Sequence, residues 1–299
     1  MRVRRIKEVP IGKPVVVHAI RGYLAPTETF VGYQVRTLRD YRPIVVAHHR
    51  SPNRDFDIDE MFVVNENTKG VQGMLGTFSY QMLRSLPPSA VRLAENWIRQ
   101  FNPALLHFHF AVDAAFFVPL YRRAGIPAVV SLYGYDISCF PKSFGGFGGV
   151  YLKRAFHAMD CFLTMSQDMK RDAIAAGIPA EKIVVHYYGI DSARFCFDER
   201  TYCRKNRFNV LCVGSLDKKK GQHHLLRSLS ALRKARPDID ARVTLVGNGN
   251  LRRELELFVE DHRLADRVVL AGHVSHFDPK LLQCYRDADV FVHFSTTQP

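Results

Sequence analysis

A chain of 299 residues with 47% hydrophobic and 24% charged side chains has room for two domains, each with its own core, and excludes a disordered or fibrous protein. Its 42 Lys and Arg against 29 Asp and Glu leave a formal net charge of +13, so the surface attracts polyanions such as nucleic acid, anionic lipid headgroups or phosphorylated ligands. The six cysteines (Cys139, Cys161, Cys196, Cys203, Cys212 and Cys284) show no CxxC or comparable metal spacing, and several lie in apolar runs, which argues for reduced thiols and a cytoplasmic setting.

The first residues, Met1 to Lys7, are basic, but no long apolar stretch follows before Pro10 and Pro14, so no signal peptide is expected. Short β-branched runs then alternate with helical patterns, the signature of parallel sheets flanked by helices. Strands are expected at 14–20, 43–48, 61–65, 104–109, 127–132, 160–165 and 182–186. Between them the periodicity predicts helices over 28–39, 81–84 with 90–100, 113–124, 150–157 and 167–176. Gly125-Ile-Pro127 and Gly177-Ile-Pro179 are stop signals of one kind, a helix-ending glycine followed by a proline. The most apolar window, 104–120, carries His107, His109 and Asp113 and is interrupted at Pro119, so no membrane span is expected there. A meeting with a membrane is expected only at its surface.

Residues 192–207 are polar, charged and aperiodic, and read as a linker after a first domain of 1–191. A second series follows in 208–299: strand 208–213, helix 222–235, strand 242–246, helix 251–262, strand 267–270, helix 279–286 and strand 289–294. The last strand is nearly all apolar and should be buried on both faces, yet no helix follows to cover it. The second domain therefore reads as partial, with either a fragment or a compromised sheet edge as the explanation.

The most informative segment is Phe208-Asn-Val-Leu-Cys-Val-Gly214-Ser-Leu-Asp-Lys-Lys-Lys220-Gly221: a buried strand, a glycine turn and three lysines delivered to a helix start. Unpaired N–H groups and the positive end of the dipole make a helix start attractive to anions. A phosphate or diphosphate is the expected ligand; a solvated basic turn is the plain alternative.

Several segments resemble group 1 (family 4) glycosyltransferases of the GT-B fold, in particular the exopolysaccharide and colanic-acid type. Val213-Gly-Ser-Leu-Asp-Lys-Lys-Lys-Gly221 is similar to V-G-R-L-x-x-K-K-G, and Leu245-Val-Gly-Asn-Gly-Asn-Leu-Arg-Arg-Glu-Leu255 to V-G-x-G-x-L-x-x-x-L. Val269-Leu-Ala-Gly-His-Val274 and Tyr285 to Ser295 match the segments that follow. In the first domain Pro26-Thr-Glu-Thr-Phe30 resembles S-E-T-F, Ser131 to Ser138 resembles H-G-Y-D-I-S, and His186-Tyr-Tyr-Gly-Ile-Asp191 resembles N/Y-G-I-D. Each motif alone is weak; seven in order are not.

The resemblance implies an α/β, GT-B-like fold of two Rossmann-type domains facing a cleft, and a retaining transferase. It would move a hexose from a nucleoside-diphosphate sugar (UDP-, GDP- or ADP-linked) to a lipid-linked or polysaccharide acceptor. It assigns Lys220 to the diphosphate, with Gly214, Ser215, Lys219, Gly247 and Gly249 around the donor and Gly272, His273 and Val274 beside the base. Ser215 stands where the family has arginine; a hydroxyl does not replace a forked cation. Tyr133 stands where the family has a histidine facing the donor sugar, and Asp136 is expected to order that loop. Glu28 and His109 are the acceptor-side residues, although Glu28 also suits a helix start for electrostatic reasons alone. His107 and His109 share one strand face and leave a metal pair as an alternative, but no third ligand is in view. Two acidic triplets, Asp57-Ile-Asp59 and Asp238-Ile-Asp240, lie in polar stretches and read as solvated surface, so no metal cofactor is expected. The E-x7-E motif of the family would lie beyond Pro299. Asp191 is placed to cap the turn that closes the first domain.

Arg84, Arg92 and Arg99 along an apolar helix pair suggest an anionic membrane as a partner; a solvated face is the alternative. A non-catalytic relative that binds sugar nucleotides or a partner is the second reading. Nucleic acid is the third, motivated by charge alone, since no recognition helix, zinc finger or aromatic platform appears.

Overall fold

The computed structural model describes residues 12–25, 28–51, 56–68, 84–196 and 207–295. The chain divides into two compact units, Met1–Gly189 and Ile190–Pro299.

In the first unit, β1 (Val15–Tyr23), β2 (Arg42–Arg50), β3 (Met61–Val63), β4 (Pro103–His109), β5 (Ala128–Ser131), β6 (Cys161–Thr164) and β7 (Ile183–Val185) form one parallel sheet. Its order is β3-β2-β1-β4-β5-β6-β7. Helices cover it: α1 (Thr29–Thr37), the short α2 (Val64–Asn67), α3 (Pro88–Arg99), α4 (Ala111–Ala124), the single turn α5 (Tyr135–Ser138), α6 (Phe147–Ala158) and α7 (Gln167–Ala175). Burial on both faces explains why β1 begins Val-Val-Val and β2 carries Ile-Val-Val-Ala instead of alternating with polar residues. Ser166 begins α7 as a cap, its hydroxyl accepting from Met169 N at 3.0 Å.

Two expectations are corrected here. The strand expected at 61–65 ends at Val63, and Asn65 lies in the turn of α2. The helix expected at 113–124 forms as α4 and runs through Pro119, because buried side chains such as Phe116, Phe117 and Leu120 outweigh the roughly 3 kcal/mol that an internal proline costs. Arg84 is not helical; it has φ 45, and α3 starts at Pro88, so Arg84, Arg92 and Arg99 do not share a helical stripe. The rest of the helix expected at 81–84 lies outside the described residues.

The second unit holds β8 (Arg207–Val213), a 3-10 turn (Lys218–Lys220), α8 (Gln222–Ala235), β9 (Asp240–Val246), α9 (Arg252–Asp261), β10 (Val268–Gly272), α10 (Pro279–Asp287) and β11 (Val290–Phe291). The sheet is parallel in the order β10-β9-β8-β11. The expected linker begins within this unit: Asp191 caps the turn by accepting from Arg194 N at 3.1 Å, and the Phe195 ring packs on His276 and Tyr285. Residues 197–206 lie outside the described set. The last strand is shorter than expected and not buried: Val290 is 46% and Phe291 50% exposed, because among the described residues β11 is the sheet edge and pairs with β8 alone.

In both sheets the chain starts in the middle, runs to one edge and returns to the other side of the first strand. Neighbouring connections then leave in opposite directions at β1/β4 and at β8/β11, which opens a crevice at the carboxyl ends of those strands. Among the described residues no helix is long and apolar enough to cross a membrane.

Candidate functional site

The carboxyl ends of three adjacent strands in the second unit each finish in a glycine turn: Gly214 after β8, Gly247 after β9 and Gly272 at the end of β10. Backbone bonds tie these turns together: Gly214 N to Val246 O (2.9 Å), Gly247 N to Gly272 O (2.8 Å), Leu216 N to Asn248 O (3.0 Å) and Leu251 N to Leu216 O (3.0 Å). A Cβ on Gly247 would stand 1.9 Å from Gly214 O, and one on Gly249 would stand 2.4 Å from Leu216 O. These two glycines therefore admit a neighbouring loop, whereas the sequence suggested that they admit a ligand. Gly221, at φ 69, turns the chain from the lysines into α8.

The three lysines are not equivalent. Lys218 and Lys219 are exposed, while Lys220 is partly buried. The Lys220 stem crosses the switch point: its Cδ lies 4.0 Å from where a Cβ of Gly214 would sit, and its charge depresses the His293 pKa after burial has done so. Ser215 is turned inward, its hydroxyl donating to Asp217 Oδ2 at 2.5 Å and its carbonyl accepting from Gln222 Nε2 at 2.8 Å. His273 is exposed, and Val274 packs against Leu211, Val246 and Leu281, leaving its backbone for any ligand contact.

The first unit has its own opening at the β1/β4 switch point, an open cavity of about 330 Å3 lined in part by Arg21, Glu28, His49, Phe110, Asp113 and Tyr135. Glu28 precedes α1, and its Oε2 accepts from Ala25 N at 2.9 Å. Burial pushes its carboxyl up to about 7 against that hydrogen bond. Asp113 accepts from Arg21 N at 2.8 Å and from Arg21 Nε, yet burial still holds its pKa above the usual range. Burial thus outweighs the guanidinium. Phe110, at φ 73 and ψ 137, occupies backbone space that costs a side-chain-bearing residue about 1–3 kcal/mol. That turn aims its ring at Phe30 and Tyr133. Arg21, His49 and Asp113 were not singled out from the sequence; the available signal was charge at the carboxyl ends of otherwise apolar strands for Arg21 and His49, and a carboxylate in an otherwise apolar helix start for Asp113.

His109 does not line this cavity; it is fully buried behind it. Tyr133 donates to Gln34 Oε1 (3.1 Å), so its oxygen accepts from His109 Nδ1–H (2.8 Å), and His109 Nε2 accepts from His18 Nδ1–H (2.9 Å). His18 Nε2 then remains a buried acceptor without a partner among the described residues. Burial lowers the pKa of His18 and His109 well below the ordinary value and that of His107 to about 4, so the relay is neutral. The third ligand that the sequence did not reveal is His18: ring nitrogens of His18, His107 and His109 lie within 4.8 Å of one another. A metal there would have to displace the His18–His109 hydrogen bond. The Tyr133 hydroxyl is committed to this relay and its ring stacks on Tyr188 at 5.6 Å. Asp136 is fully buried, accepts from the backbone of Tyr133 (3.1 Å) and Val112 (3.4 Å), and is pushed up to about 7 by burial. It staples the loop after β5 to the start of α4.

Both acidic triplets face arginines: Asp57 faces Arg50 at 3.4 Å, Asp238 pairs with Arg236 at 2.7 Å and Asp240 lies 3.3 Å from Arg242.

Comparison with known proteins agrees with this layout. The family model described as Glycosyltransferase Family 4 matches residues 27–194, over half of the chain, and that described as Glycosyl transferases group 1 matches 207–299. The D-inositol 3-phosphate glycosyltransferase of Pseudarthrobacter chlorophenolicus is 32% identical over 124 residues, 39% of this chain and 29% of the relative. The glycogen synthase of Mycobacterium tuberculosis is 26% identical over 210 residues, 67% of this chain and 49% of the relative. The chain thus spans about half or less of the length of these curated relatives. Among solved structures, Anabaena HepE in complex with UDP superposes with a TM-score of 0.69 at 18% identity, covering 95% of this chain and 74% of that one. That likeness shows a shared GT-B architecture of two parallel-sheet units. With a family signature on each unit in the expected order, the chain belongs to glycosyltransferase family 4, within the group 1 glycosyltransferases.

Proposed function

We propose that this chain serves a retaining hexosyltransferase, taking a hexose from a nucleoside-diphosphate sugar to a hydroxyl on a lipid-linked or polysaccharide acceptor at the cytoplasmic face of a membrane. The observation that carries the reading is the placing of Lys220 over the joined glycine turns at the β8/β11 switch point. There the ammonium and the start of α8 neutralise a diphosphate, and the same charges stabilise it as it leaves. HepE, of the same architecture, was solved with UDP, which supports a nucleotide as the ligand. The leaving diphosphate carries away the bonding pair of the anomeric C–O bond, the acceptor oxygen forms the new bond to the anomeric carbon, and its hydroxyl proton passes to the departing diphosphate.

On the acceptor side, the cavity of about 330 Å3 lies at the lower end of the roughly 300–1,000 Å3 range of small-molecule sites. Glu28, with a pKa of about 7, accepts a hydrogen bond from an acceptor hydroxyl near neutral pH. Lysine and helix termini take the role that a metal plays elsewhere, so the donor should bind in EDTA.

Calorimetric titration of UDP, GDP and ADP in EDTA tests the reading. One nucleotide should bind the chain, and Lys220→Ala should weaken it about 10- to 100-fold. No binding, or binding indifferent to Lys220, removes the proposal. The inward-turned Ser215 and the committed Tyr133 hydroxyl favour, as the second reading, binding without transfer. Release of nucleotide from the matching donor sugar and a polyprenyl-linked acceptor separates the two.

A further inference from the structure

The basic face expected from Arg84, Arg92 and Arg99 is not formed, since Arg99 Nε is held by Glu95 Oε1 at 2.9 Å and the other carboxylate oxygen of Glu95 is taken by Arg123. A different surface carries the features of a lipid-binding face. Phe144, Phe147 and Val150 are 55%, 73% and 62% exposed, a concentration of large apolar side chains on a single turn and helix start. They are held outward by a seated backbone: a Cβ on Gly148 would meet Phe140 O at 2.0 Å, so α6 begins in direct backbone contact with the 3-10 turn Phe140–Gly146.

Along α6 the exposed positions Phe147, Val150, Arg154 and His157 follow helical spacing, so one face is apolar at its N-terminal end and cationic at its C-terminal end. Beside it, a groove of about 510 Å3 between α4 and α6 is lined by Pro119, Arg122, Val150, Lys153, Arg154 and His157. Arg84 lies 3.6 Å over the Phe144 ring and Lys142 is exposed on the same turn. From residue 137 to 159 the sequence contains no Asp or Glu.

We infer that this face docks on an anionic phospholipid bilayer, Phe144, Phe147 and Val150 entering the headgroup layer while Arg122, Lys153 and Arg154 meet lipid phosphates. Aromatic tips beside exposed cations that make no ion pair with a carboxylate among the described residues suit the boundary between acyl chains and anionic headgroups. A second copy fits poorly, because two such faces would bring like charges together. The inference deepens the membrane-face part of the proposed function and does not depend on the donor chemistry.

Flotation of the full chain with vesicles, without any sugar nucleotide, tests it. The chain should float with phosphatidylcholine vesicles containing about one-third phosphatidylglycerol and not with pure phosphatidylcholine. Lys153→Glu with Arg154→Glu should lower that partitioning by at least about tenfold, and Phe147→Ser with Val150→Ser by about tenfold. All four side chains are exposed, so melting temperature and UDP titration should match the parent for both pairs. Arg92→Glu, on another face, should leave flotation unchanged. The inference is overturned by absence of phosphatidylglycerol-dependent flotation, or by flotation that neither pair reduces. It is equally overturned if light scattering finds a dimer that Phe147→Ser with Val150→Ser converts to monomer, since a second copy then covers the face. Donor binding that fails while flotation succeeds counts against the transferase reading alone.

Discussion

Lys219 and Lys220 are chemically identical and adjacent, yet their surroundings separate them. Lys219 is exposed, so water screens its charge; Lys220 runs over Gly214 with its charge felt at His293. Lys219→Ala should therefore change nucleotide affinity by less than about threefold, against the large loss from Lys220→Ala, in parallel calorimetric titrations. Glu28 makes a second prediction. Its ordinary pKa of 4.5 rises to about 7 on folding, mainly through burial. Between those values the folded chain keeps a proton that the unfolded chain has lost, so stability falls as pH rises through that window. Asp136, moved from 3.8 to about 7, acts in the same direction. Glu28→Gln removes one share: the fall in denaturant-derived stability between about pH 4.5 and 7 should shrink by about 2–3 kcal/mol. If Glu28 also receives the acceptor hydroxyl, the acceptor-dependent rate should climb through about pH 7 in the parent and lie flat in the variant.

At the scale of elements, the turns after β8, β9 and β10 act as one block because their backbones are hydrogen-bonded to one another. Gly247→Ala places a methyl group 1.9 Å from Gly214 O, a clash with backbone that no rotamer relieves. It should destabilise the second unit by about 2–4 kcal/mol, read as a lower melting temperature, and weaken nucleotide binding as the block shifts. Gly272→Ala meets only the flexible end of Arg252 at 3.5 Å, and its cost is the left-handed φ of 74, about 1 kcal/mol. In the first unit, Tyr133→Phe deletes the acceptor for His109 Nδ1–H and the donor to Gln34. About 1–3 kcal/mol of stability should be lost in denaturant titration, with no change in UDP affinity if the relay serves only the first unit.

At the scale of the whole molecule, each apolar cluster among the described residues is confined to one unit. The clusters of the first sheet draw on residues up to Ile183, and those of the second begin at Val210. Each unit therefore has its own reason to fold. Residues 1–189 expressed alone should give a cooperative thermal transition and an NMR spectrum with native dispersion. A molten profile would mean that the first core needs the second unit.

Much of this architecture is local in origin and was legible in the chain. Apolar runs of four to eight residues place the parallel strands, glycine–proline stops end the helices, and a strand, glycine turn and lysine run announce the basic turn before α8, because each is encoded within about a dozen consecutive residues. Tertiary structure decided what depends on distant partners. His18 meets His109 across 91 positions and Arg21 meets Asp113 across 92, so neither the relay nor the cavity at the β1/β4 switch point leaves a trace in spacing. The last strand was expected to be buried, but β11 is exposed because it falls at the sheet edge among the described residues. The glycine pair at 247 and 249 was visible as a turn, but that its missing side chains make room for neighbouring carbonyls follows only from the packing of one loop against the next. Local patterns specify elements; which charges and backbones face one another is fixed when the sheet order brings their ends together.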